Sequence, residues 1–83
     1  MSQTNDSISQ TDESIREFMA KDVYYLTNHI GRIIHFPGFS VVRYDGCDLR
    51  RHFTSWVVFI NNEDVNDFDT LREAKQFGME KTA

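Results

Sequence analysis

The chain has 83 residues, of which 40% are hydrophobic and 13% aromatic, and thirteen acidic against nine basic residues give it a formal net charge of −4. That length allows one domain, and a domain so small buries only about 60% of its unfolded surface, so seven Phe and Trp56 must supply much of the apolar area. The acidic balance excludes bulk, sequence-independent nucleic-acid binding, and the single cysteine, Cys47, excludes an intramolecular disulfide framework.

The opening residues, MSQTNDSISQTDES, are polar and show neither the basic stretch nor the apolar stretch of a signal peptide. No apolar run approaches the ~20 residues needed to span a membrane. A soluble protein of the reducing cytoplasm is expected. Residues 1–11 have almost nothing to bury and read as a disordered arm.

Thr11 or Asp12 can serve as N-cap, with Glu13 and Glu17 near the positive end of the helix that follows. Ile15, Phe18, Met19, Val23, Leu26 and Ile30 recur at helical spacing. That spacing predicts an amphipathic helix over residues 12–29, stopped by Gly31. A competing reading ends the helix near Ala20 and makes residues 23–27, VYYLT, a strand, because aromatic and β-branched side chains suit a pleated surface.

Two β-rich runs, RIIHF and FSVVRY, then flank Pro37 and Gly38, a pair suited to the middle of a type II turn. Asp45 and Gly46 carry a second turn signal, and residues 47–52 read as an irregular link. Residues 53–60, FTSWVVFI, form the clearest strand, apolar on both faces, which calls for cover on both sides. In so short a chain, a partner subunit is one way to supply the second cover, so a homodimer enters the expectations. Asn61 and Asn62 turn the chain into a short antiparallel strand over residues 63–68. Thr70 and Glu73 then have the spacing of a capping box, Leu71, Ala74 and Phe77 share one helical face, and Gly78 reads as the stop.

The expected fold class is α+β. A single small domain over residues 12–79 has an N-terminal helix, a three- to four-stranded antiparallel sheet, and a short C-terminal helix packed on it, with residues 80–83 frayed. Trp56, Val58, Phe59, Phe68, Leu71 and Phe77 are the expected core. Over about residues 39–78, the strands followed by FDTLREA resemble the three-stranded-sheet-plus-helix units of AP2-type and integrase arm-type DNA-binding domains. That likeness implies a sheet reading DNA through basic side chains, whereas the third strand here, EDVNDF, has three acids and no base.

The chemistry is sparse. His29, His35, His52 and Cys47 form no C-x2-C or H-x3-5-H pair, so no zinc site is expected. The acidic run fails the calcium-loop pattern, because from Asp64 the sixth position is Asp69 and the twelfth is Lys75. No glycine-rich phosphate loop or nucleophile motif occurs. No cofactor, metal or catalytic residue is expected.

Two surfaces remain. Glu63, Asp64, Asp67 and Asp69 concentrate negative charge, which either protects an edge strand or steers a basic partner. Arg43, Tyr44, Arg50 and Arg51 make a basic and aromatic segment beside Asp45 and Asp48, read either as a salt-bridged loop or as a contact surface. The candidate partner-binding residues are thus Arg43, Tyr44, Arg50, Arg51, Glu63, Asp64 and Asp67. The expected function is a non-enzymatic protein-binding module, a regulator or inhibitor of the accessory kind common in bacteria, phages and mobile elements. Nucleic-acid binding through residues 43–53 is the alternative, disfavoured by net charge.

Overall fold

A computed structural model describes residues 10–22, 25, 29–48 and 51–83, with only the backbone described for Asp48 and Arg51. The order of elements is α1 (Asp12–Lys21), β1 (Ile30–Phe36), β2 (Phe39–Asp48), β3 (Arg51–Ile60), β4 (Glu63–Phe68) and α2 (Leu71–Lys81). The strands form one antiparallel meander in the order β1-β2-β3-β4. The α+β architecture read from the sequence is therefore the observed one. Among the described residues, no helix is long and apolar enough to cross a membrane. The expected arm over residues 1–11 lies mostly outside the described residues.

Thr11 caps α1 by accepting the Ser14 N–H at 3.1 Å, while the Thr11 N–H donates to Ser14 Oγ at 2.9 Å. The helix ends at Lys21, not at residue 29, and Asp22 has already turned to extended backbone. Of the residues past Lys21 that keep the helical spacing, Val23 and Leu26 lie outside the described residues. Tyr25 lies outside helix and strand and packs edge-on against Tyr44, and Ile30 belongs to β1. Of the competing strand over residues 23–27, only Tyr25 lies within the described residues.

Each turn has a local cause. Gly38 has φ of +88°, as the third position of a type II turn requires, and Phe36 pairs with Phe39 across it. Asn61 and Asn62 both have positive φ, 55° and 66°, the geometry of a type I′ hairpin closed by Ile60 and Glu63. Asp45 and Gly46 do not turn, and of the link expected over residues 47–52, Cys47, Asp48, Arg51 and His52 belong to paired strands, while residues 49 and 50 lie outside the described residues. Gly46 instead faces Phe53 in the ladder, and pairing continues to Asp48 and Arg51. The Phe53 ring fills the space that a side chain at position 46 would need.

Successive residues of β2 and β3 alternate between two cores. Val42, Tyr44, Val57 and Phe59 join Ile15, Met19 and Tyr25 on one face. Phe39, Val41 and Val58 join Ala74 on the other, flanked by Trp56, Phe68, Leu71 and Phe77. Burying one such aliphatic or aromatic side chain contributes about 1.5–3 kcal/mol. α1 and α2 thus cover opposite faces of the sheet, and the chain itself supplies the second cover for which a partner subunit was considered.

Gly78 does not stop α2. The helix runs on to Lys81, where the Thr82 N–H and hydroxyl both donate to the Gly78 carbonyl, at 3.1 and 2.7 Å. Gly78 is buried under the Phe39 ring, and a methyl group there would overlap it.

Candidate functional site

The acidic run lies on an edge strand with a break in it. Between Val58 and Phe59 the β3–β4 register shifts, and Val65 bulges out, 45% exposed. The shift places Asp64 opposite Phe59 and Asp67 opposite Val57, both on the α1 side of the sheet. Tyr25 donates its hydroxyl to Asp64 Oδ2 at 2.7 Å, and Ser55 donates to Asp67 Oδ2 at 3.1 Å. With Asp22, just past the end of α1, the two carboxylates frame a cleft of about 340 Å³ on the Val57 and Tyr25 side chains. A broader depression of about 620 Å³ adjoins it through Asp22 and runs along Phe18 and Glu17 of α1.

Such a cleft suits one long cationic side chain. The stem would rest on apolar carbons, and the head would meet carboxylates already oriented by hydroxyl donors. Glu63 does not join it, because it pairs with Ile60 on the α2 side of the sheet. Asp22 and Tyr25 were missed in the sequence. Nothing in their spacing marks them, since Tyr25 and Asp64 are 39 positions apart.

Of the basic candidates, only the Arg43 side chain lies within the described residues. Arg43 is exposed on the α2 side, its Nε 3.5 Å from Asp45 Oδ1, to which Thr54 also donates at 2.8 Å. That makes it one end of a surface ion pair, worth at most about 1 kcal/mol. Tyr44 is turned into the core. It is 4% exposed, on the opposite face from Arg43, with rings of Tyr25 and Phe53 against it at 5.1 and 6.4 Å. Alternation along a strand separates these neighbours in sequence. Arg50 and the Arg51 side chain lie outside the described residues. Residues 45–48 pair with residues 51–54 beyond the reach of β1 and β4, so Cys47 and His52 face each other on a two-stranded ribbon.

One polar chain was not foreseen. Gln10 donates to Ser40 Oγ at 2.8 Å and to the Phe59 carbonyl at 3.2 Å, and accepts the Asn62 N–H at 2.8 Å. Ser40 Oγ lies 2.7 Å from His35 Nδ1, and His35 Nε2 lies 2.5 Å from Asp12 Oδ1. The two ring nitrogens of His35 bridge Ser40 and Asp12. Serine, histidine and aspartate thus stand in the sequence of a hydrolytic relay, with the ring nitrogens exchanged. Ser40 is only 1% exposed and its oxygen already accepts from Gln10, so the chain fastens the start of α1 to the sheet. Among the described residues, no three His, Cys, Asp or Glu side chains gather as metal ligands would.

A DNA-reading sheet of the kind suggested by residues 39–78 needs an open face opposite its helix. Here that face is filled by Ile15 and Met19 of α1. No protein-family model, curated protein or solved structure matches the chain.

Proposed function

We propose that the chain is a small non-enzymatic protein-binding module that regulates or inhibits a partner by contact in the cytoplasm, receiving a Lys or Arg side chain of that partner. The cleft framed by Asp22, Asp64 and Asp67 over Val57 carries this reading. Carboxylates near an apolar floor favour a basic partner, speed its approach, and select against acidic ones. Because α1 and α2 cover both faces of the sheet, each copy is taken to act singly.

The test is affinity capture from the source cells with the wild-type chain and with an Asp64→Asn/Asp67→Asn double variant as baits. A protein retained at low salt by the wild type and lost by the variant is the expected result. Identical captures by the two baits would sink the reading.

The alternative, nucleic-acid contact through Arg43, Arg50 and Arg51, draws on the ribbon that projects past both edge strands. It requires an affinity that falls steeply with salt and is lost on Arg43→Ala, with the Asp64→Asn/Asp67→Asn variant binding as well as wild type or better.

A further inference from the structure

The outer side of α2, on the other face of the sheet from the acidic cleft, carries Arg72, Lys75 and Met79 along one stripe. Met79 is 55% exposed. It stands between two mainly apolar clefts, one of about 430 Å³ walled by Phe36 and Pro37, the other of about 400 Å³ bordered by Arg72 and Glu80. Lys75 borders both, with its ammonium 5.4 Å from the centre of the Phe36 ring.

We propose that this face docks an amphipathic segment of a partner protein whose apolar side chains enter the clefts beside Met79 and whose acidic side chains meet Arg72 and Lys75. An apolar patch around an adaptable methionine, with aromatic and proline carbons opposite, is the composition of a helix-accepting groove. Its charge chooses the occupant. Two cations stand against Glu80 on these clefts, in a chain of net charge −4. A second copy fits less well, because it would bring the same two cations and one acid rather than the surplus of acid that Arg72 and Lys75 call for. Two cations are also too few to hold a nucleic-acid backbone.

The proposal is independent of the acidic cleft, and the test keeps the two apart. ¹⁵N-labelled protein is titrated with three helical peptides of about five turns that share one leucine face and carry Glu, Gln or Lys along its flanks. The Glu peptide is expected to shift the amides of Lys75, Met79 and Phe36 and to bind about tenfold more tightly than the Gln peptide. The Lys peptide should leave α2 unshifted. Met79→Glu, at an exposed position, should keep the remaining spectrum and abolish these shifts, while Asp64→Asn/Asp67→Asn should leave them intact. The proposal is overturned if the Glu peptide does not shift α2, if it binds no better than the Gln peptide, or if Met79→Glu binds it unchanged.

Discussion

Gly78 owes its identity to the ring above it. Gly78→Ala should destabilise the protein by about 1–3 kcal/mol through overpacking, more than the ~1 kcal/mol that alanine gains over glycine inside a helix. Urea unfolding would measure it, and Phe39→Leu in the same chain should recover part of the loss, because the clash is with Phe39. A glycine that merely ended the helix would show no coupling to Phe39. Thr70 is the complementary case, with a role confined to one turn. Its hydroxyl accepts the Glu73 N–H at 3.2 Å and donates to the Glu73 carboxylate at 3.1 Å. Thr70→Ala should therefore cost about 0.5–2 kcal/mol, with the loss of order confined to α2.

Local signals of this second kind made the elements legible. The Thr70 cap, the Pro37–Gly38 turn and the asparagine pair at 61 and 62 each act within four residues, and each is observed where the sequence placed it. Signals whose meaning depends on a distant partner were misread. Gly46 and Gly78 looked like punctuation because Phe53 and Phe39, which lie over them, come from elsewhere in the chain. The end of α1 was hidden by apolar residues that kept helical spacing after the helix had stopped. Of the acidic site, Asp64 and Asp67 were legible as charge, while the contribution of Tyr25 and Asp22 exists only through folding. The fastening of α1 was equally invisible, and it makes a prediction at this scale. Gln10→Ala removes three hydrogen bonds of about 0.5–1.5 kcal/mol each, so amide exchange in α1 should accelerate well before that in α2. Equal acceleration in both helices would show that α1 has no separate attachment.

An open four-stranded sheet has two edges, and both are guarded. β1 breaks register between Ile30 and Ile33, β4 pairs across the break between Val58 and Phe59, and Glu63 and Asp67 add exposed charge. Such edges resist strand addition by other copies. Glu63→Thr/Asp67→Thr should raise light scattering on concentration while leaving the monomer folded, and an unchanged solubility limit would show that the charges serve binding alone. The way β2 and β3 divide their side chains has a consequence for how the molecule comes apart. Val42 and Val57 serve the core under α1, while Val41 and Val58 serve the core under α2, so along β2 and β3 the strand backbones stand between the two cores. Unfolding should accordingly proceed by subglobal steps. Detaching α1 would leave the α2 core standing on the same two strands, and native-state exchange should resolve two cooperative units, with the central amides of β2 and β3 the last to open.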